Sequence, residues 1–338
     1  MIALVCTEPG KLDYTDIAEP EMKAGYAIIR IRNICICGTD LHAFEGTQPF
    51  FNYPRILGHE LSGELMDFDD APGFQKGEAV TFLPYLNCGN CIACRAGKTN
   101  CCTSLRVCGV HMDGGMVDYY SIPSRLLVHS QGLDLTDLAL VEPLAIGAHG
   151  IRRAGIQPGE FVLVIGAGPI GLATMEFARL GGAEIIAMDL NKYRLEFCKN
   201  KLGISHIINA GNTQIMDQLL EITHGDMPTV VIDASGNRKA INNGLNYLAH
   251  GGRYILIGLQ KEELVFSHPE FHKREATLMS SRNATREDFH YVMQSLVKGL
   301  INPRSFITNR VKFKDAAAGF PDWLNPSNHV IKVVVEKD

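Results

Sequence analysis

Up to about residue 140 the chain alternates short apolar stretches with turns rich in Gly and Pro; residues 26–32 and 77–82 are two of these stretches. Short β-type segments separated by turn chemistry predict an irregular, mostly antiparallel β region. The texture changes near Gly159. Residues 161–165 are continuously apolar, as a parallel strand covered on both faces requires. A helix at 170–180, a strand at 185–189, a helix at 193–202, a strand at 230–233, a helix at 240–249 and a strand at 254–258 are expected in turn. Alternation at this spacing predicts an α/β fold with a doubly wound parallel sheet. A strand at 278–281, a helix at 287–299 and a final strand at 330–335 follow. The tail beyond about 290 reads as returning to the first domain. The expected division is therefore 1–145 with 290–338, and a central 146–289.

Composition adds exclusions. With 338 residues, 46% of them apolar and 20% charged, the chain reads as two globular domains. The formal net charge of −5 comes without a basic run, so neither a nucleic acid nor an anionic membrane surface is signalled as a partner. The opening MIALVCTEPG lacks the basic flank and cleavage site of a signal peptide, and no stretch is long enough to cross a bilayer. A cytoplasmic location is expected. Ten cysteines in that compartment do not read as a disulfide framework. Cys88, Cys91, Cys94, Cys101 and Cys102 crowd together in the way thiolates surround a metal.

Residues 166–171, Gly-Ala-Gly-Pro-Ile-Gly, follow the first predicted parallel strand and open a helix. Gly166 permits the tight turn, Gly168 lets the backbone approach a pyrophosphate, and Gly171 allows helix to pack on sheet. Pro169 and Ile170 begin the helix whose N-terminus supplies amide donors. Such a turn alone is a weak signal. Here it has its strand, its helix and Asp189 at the end of the next strand. A carboxylate there bonds the adenosine ribose and repels a 2′-phosphate, which favours NAD over NADP. Arg194 nearby could accept that phosphate; Asp189, expected directly against the ribose, outweighs it.

Cys88, Cys91, Cys94 and Cys102 suit a closed tetrahedral zinc site that staples a loop, with Cys101 competing for the fourth position. A second set is dispersed: Cys37, the pair His59-Glu60, and Glu142. A thiolate, an imidazole and a carboxylate would serve a catalytic zinc, which keeps an exchangeable position. Singly, each has a plainer reading: a core cysteine, a satisfied core histidine, a helix-capping acid. Spacing does not assemble them.

These motifs, in this order, resemble the zinc-dependent medium-chain dehydrogenases over essentially the whole chain. They are Cys37-Gly-Thr-Asp-x-His42, Gly58-His59-Glu60, the four-cysteine lobe, Glu142-Pro-Leu and the glycine turn. Glu142, where classical alcohol dehydrogenases carry cysteine, places the chain nearer the sorbitol and threonine dehydrogenases. Residues 48–55, 269–274 and 281–285 resemble bacterial hexonate dehydrogenases of the L-galactonate 5-dehydrogenase kind.

The resemblance implies a Rossmann domain with a GroES-like, mostly β catalytic domain, NAD, and two zinc ions per subunit. It also selects Cys102 over Cys101. For the catalytic zinc it implies Cys37 and His59, with Glu60 and Glu142 as interchangeable ligands and Asp40 orienting the histidine. Thr39 would contact the alcohol, and His42 would end a proton relay. Arg282 falls where sorbitol enzymes place an arginine on the substrate, and could grip a carboxylate. His111, Phe50, Phe51 and Tyr53 are further candidates for the pocket, each with a plainer packing or backbone-bonding alternative. Residues 66–70 depart from the family pattern and read as a surface turn.

The implied substrate is a small polyol or sugar acid, oxidised at a secondary hydroxyl, by a homodimer or homotetramer. Polyol phosphates and threonine are alternatives. A non-catalytic NAD- or zinc-binding scaffold is disfavoured, because a scaffold needs only the four-cysteine lobe.

Overall fold

The computed structural model describes every residue except Phe50 and Asp338. The chain forms two compact units, Met1–Pro143 with Thr285–Asp338, and Leu144–Ala284. The helix Val141–Ala154 contains the passage from one to the other. Among the described residues no helix is long and apolar enough to cross a membrane.

The first unit is built on a seven-stranded sheet. Its spine is Tyr26–Cys35, in which positions facing the core alternate with less buried ones, the signature of a strand with one covered face. Glu60–Phe68 pairs antiparallel on one side, with Cys35 opposite Glu60. Lys332–Glu336 pairs antiparallel on the other, with Val334 opposite Cys35. Strands whose first residues lie 272 positions apart in the sequence therefore flank one strand, and the register brings residues near 36, 60 and 332 to one end of it. Residues 66–68 belong to the strand and not to a surface turn: Phe68 pairs with Ala27 and Asp67 with Ile28. The bend comes at Asp69 and Asp70, the latter at φ 51°.

The second unit carries six parallel strands in the order His206–Asn209, Glu184–Asp189, Phe161–Ile165, Val230–Asp233, Arg253–Leu256, Thr277–Ser280. The chain winds outward to one edge, returns to the middle, then winds to the other. The two central strands, Phe161–Ile165 and Val230–Asp233, flank the switch point, where ligands of such sheets bind. Leu163, Ile165, Ile186, Met188, Ile208 and Val231 fill the core against the helices. Burial on both faces explains why these strands read as unbroken apolar runs.

One helix differs from expectation. Asn237 accepts hydrogen bonds from the Lys239 and Ala240 amides and so starts the helix at Arg238. It ends at Gly244, and Leu245–Tyr247 is a 3-10 turn. Asn242, Asn243 and Gly244 are poor helix formers. A Cβ on Gly244 would sit 2.3 Å from the Tyr254 hydroxyl, so glycine there lets the helix end close against the sheet.

Candidate functional site

The four cysteines lie between the short paired strands Tyr85–Leu86 and Arg106–Val107. Cys91 caps the one-turn helix Ile92–Arg95, and its sulfur accepts from the Cys94 amide at 3.5 Å. The Cys102 sulfur accepts from the Cys88 amide at 3.2 Å. The Cys88, Cys91, Cys94 and Cys102 sulfurs all lie within 4.8 Å of one another, and Cys101 is outside the group. Amides of Cys94 and Thr103 draw the Cys91 thiol down to about 5, so it is a thiolate at neutral pH. Four converging sulfurs, already served by amide donors and joined by no disulfide, fit a closed tetrahedral zinc.

The second group forms at the end of the spine strand. Cys37 directly precedes the helix Gly38–Glu45. Asp40, fully buried, accepts the Cys37 amide at 2.9 Å and the Gly58 amide at 3.1 Å, tying the helix start to the loop carrying His59. Ligand atoms of Cys37, His59 and Glu60 lie within 4.8 Å of one another.

His59 Nδ1 is buried without a hydrogen bond, 3.8 Å from an Asp40 oxygen. Asp40 thus acts on this histidine through charge and through the Gly58 backbone. Burial would lower the His59 pKa, but Cys37 and Asp40 beside it outweigh burial and hold it well above the ordinary value. An imidazole with an orphaned nitrogen, drawn towards positive charge among buried anions, fits a metal cation. The thiolate, imidazole and carboxylate are the donor types that zinc takes.

Two partners of this group carry no motif. Lys332, 2% exposed, donates to both oxygens of Glu60, at 2.6 and 2.9 Å, and to the Ile36 carbonyl at 3.1 Å. Burial works against its charge, yet Glu60 and Cys37 hold it above the ordinary lysine value. Tyr85 donates its hydroxyl to Glu142, which sits in the first turn of Val141–Ala154. Burial, reinforced by Glu60, pushes the Glu142 carboxyl up to about 7. Glu142 is near these charges but is not brought into the ligand group. The one sequence signal for Lys332 was a lone charge inside the apolar run 330–335.

Thr39 and His42 stand three positions apart on Gly38–Glu45, which puts them on one side of that helix. His42 is exposed, with Nδ1 3.0 Å from the Thr47 hydroxyl. His111 takes the plainer reading in part: its Nδ1 accepts the Val107 amide at 3.2 Å. The Tyr53 hydroxyl donates to the Ala43 carbonyl, and its ring packs on Phe51 at 4.8 Å, so both have a structural role. Phe50 lies outside the described residues. Arg282 is exposed just beyond Thr277–Ser280.

In the second unit Gly166, at φ 100°, closes the turn after Phe161–Ile165; a Cβ there would meet the Ser235 amide at 2.9 Å. A Cβ on Gly171 would meet the Gly166 carbonyl at 1.7 Å, so the helix Pro169–Leu180 can approach the turn only with glycine. Gly168 is different: among the described residues a Cβ there would meet only the Arg194 guanidinium within 4 Å, at 3.6 Å, which leaves an open face beside the helix start. A pyrophosphate fits such a cradle. Asp189 sits at the end of Glu184–Asp189 as expected. Its oxygens accept the Ala167 amide at 2.6 Å and the Asn191 amide at 2.7 Å. Each carboxylate oxygen keeps capacity for a second donor.

Comparison with known proteins agrees with both units. Residues 23–132 match the alcohol dehydrogenase GroES-like domain, and residues 169–298 match the zinc-binding dehydrogenase domain. L-galactonate-5-dehydrogenase of Escherichia coli K12 is 40% identical over 99% of this chain and 98% of its own. A crystal structure of an E. coli CFT073 protein, described as a short chain alcohol dehydrogenase complexed with cofactor NADH, covers 99% of each chain at 28% identity and TM-score 0.92. L-idonate 5-dehydrogenase of E. coli K-12 covers 99% of this chain and 97% of its own at 25% identity and TM-score 0.89. The chain belongs to the zinc-binding, medium-chain alcohol dehydrogenase family. It is an oxidoreductase acting on CH–OH groups, with a GroES-like domain and a Rossmann sheet.

Proposed function

We propose that the protein oxidises a secondary hydroxyl of a hexonate of the L-galactonate type to a ketone, with NAD as hydride acceptor. The observation that carries the chemistry is the convergence of half-buried Cys37 with buried His59 and Glu60 beside buried Asp40. The substrate class follows from the 40% identical relative. A zinc ion held by Cys37, His59 and Glu60 would supply a Lewis acid for the substrate hydroxyl, and a second at the four-cysteine lobe would brace that loop. Asp40 keeps the helix start and the His59 loop in register. Thr39 would receive the hydroxyl proton while releasing its own, and His42, exposed on the same side of its helix, would pass a proton on to solvent. The glycine turn cradles the NAD pyrophosphate, and Asp189 adds the adenosine ribose to its backbone partners, favouring NAD over NADP. Arg282 grips the hexonate carboxylate as a fork of two parallel hydrogen bonds. The same reading includes assembly into dimers or tetramers.

The experiment is NADH formation across hexonates, neutral polyols, polyol phosphates and threonine, with wild type and Arg282→Ala. A hexonate is expected to give the highest kcat/KM. Arg282→Ala is expected to lower it by about tenfold to a hundredfold, the effect of losing a charge-assisted hydrogen bond, with little change for neutral polyols. A neutral polyol, a phosphate or threonine winning, with all substrates affected alike, would refute the sugar-acid reading.

A further inference from the structure

We propose that Tyr85 is a positioning residue: by donating its hydroxyl to Glu142 it withholds that carboxylate from the metal and keeps one coordination position open for substrate. The inference rests on the reading of Cys37, His59 and Glu60 as a zinc site. Two buried glutamates bear on one candidate metal position: Glu60 within the ligand group, and Glu142 close enough for its charge to act on His59 and Glu60. Glu60 belongs to the ligand group, braced on its far side by Lys332. Glu142 is outside the group, and its Oε1 is taken by the Tyr85 hydroxyl.

The hold is firm for three reasons. Tyr85 is 4% exposed, so its hydroxyl would be left unsatisfied if it released Glu142. Its ring meets Phe289 edge-on with centroids 6.4 Å apart. Its backbone belongs to the strand pair Tyr85–Leu86 with Arg106–Val107. Charge explains why the hold matters. A divalent cation there would meet the Cys37 sulfur and a Glu60 carboxylate whose charge is already shared with Lys332, so it would be left short of negative charge. A third anion would be drawn to the metal, and Glu142, once free, would fill the position that a catalytic zinc leaves exchangeable. A donated hydrogen bond occupies one lone-pair direction of Glu142 and fixes its rotamer.

The test uses the holoenzyme with cobalt in the Cys37 group and zinc left in the four-cysteine lobe. Imidazole is the probe, because it binds an open metal position and shifts the cobalt visible spectrum. Tyr85→Phe keeps the ring and its packing. It is expected to need about tenfold more imidazole than wild type for the same shift, the equilibrium effect of a hydrogen bond to a charged group. It is also expected to release cobalt to a chelator more slowly. The double variant Tyr85→Phe/Glu142→Gln is expected to return to the wild-type response. Glu142→Gln alone is expected to keep the wild-type resting spectrum.

A Tyr85→Phe response equal to wild type overturns the proposal. So does a resting spectrum altered by Glu142→Gln, since Glu142 would then already be a ligand. Wild-type protein that takes metal in the four-cysteine lobe alone would overturn the zinc reading itself, an outcome separable from the other two.

Discussion

Cys37→Ser is expected to lower kcat/KM for the preferred alcohol by about a thousandfold or more while leaving the protein folded and the four-cysteine lobe loaded. Cys37 occupies the position before the helix Gly38–Glu45, where serine is a favoured cap, so local structure tolerates the change. Serine does not ionise in the accessible pH range, and a neutral oxygen is a poor substitute for a thiolate in holding zinc. What is lost is Lewis-acid stabilisation of developing charge, worth several kcal/mol, and each 1.36 kcal/mol is tenfold in rate. Metal analysis paired with NADH formation checks it: bound zinc should fall from two ions per chain to one. A variant retaining activity within tenfold of wild type would remove Cys37 from the site.

Lys332→Met is expected to be the most destabilising single change in the first unit, lowering unfolding free energy by about 3–5 kcal/mol. Lys332 and Glu60 are both buried, and the ammonium serves both carboxylate oxygens and the Ile36 carbonyl. Methionine matches the length and fills the volume, so the loss is one of charge compensation and not of packing. Glu60 would be left as an anion out of reach of water. Two refinements make this a test of mechanism. The penalty should be larger in metal-free protein than in zinc-loaded protein, because the cation offers Glu60 a second partner. Lys332→Met/Glu60→Gln should recover more than half of the loss. Denaturant titrations of wild type and the two variants, each with and without zinc, read both effects; a loss equal with and without zinc, and unrelieved in the double variant, would mean that Lys332 acts through packing.

Local chemistry was the legible part of this chain. The strand Phe161–Ile165, the glycine turn and the following helix are specified by contiguous residues, and the four cysteines sit on one short loop. The candidate metal group of Cys37, His59 and Glu60 was legible only through resemblance, since Cys37 stands before the helix Gly38–Glu45 while Glu60 opens a strand paired with Tyr26–Cys35. Lys332 and Tyr85 escaped for the same reason. Lys332 meets Glu60 because strands far apart in the sequence, Glu60–Phe68 and Lys332–Glu336, flank Tyr26–Cys35, a register that no local pattern encodes.

The strand His206–Asn209 was missed as well: its ends are polar, and two isoleucines are too few to show a period. Residues 66–68 misled through composition. Asp67 reads as a turn residue, but it lies partly exposed on a strand paired with Ile28, where a charge is tolerated. The helix expected at 240–249 began and ended earlier because capping by Asn237 and the Asn-Asn-Gly run outweighed the apolar spacing.

Whether zinc in this protein drives hydride transfer from a hexonate is read most directly from NADH formation with NAD and L-galactonate. The protein would be compared zinc-replete, stripped of metal, and reconstituted with zinc or magnesium. Turnover is expected in the zinc-replete state, with loss on stripping and recovery with zinc but not with magnesium, whose preference for oxygen ligands in octahedral geometry does not suit a thiolate and an imidazole. Turnover that survives complete removal of zinc, or no reduction of NAD by the zinc-replete protein with any hexonate or polyol, would contradict that expectation.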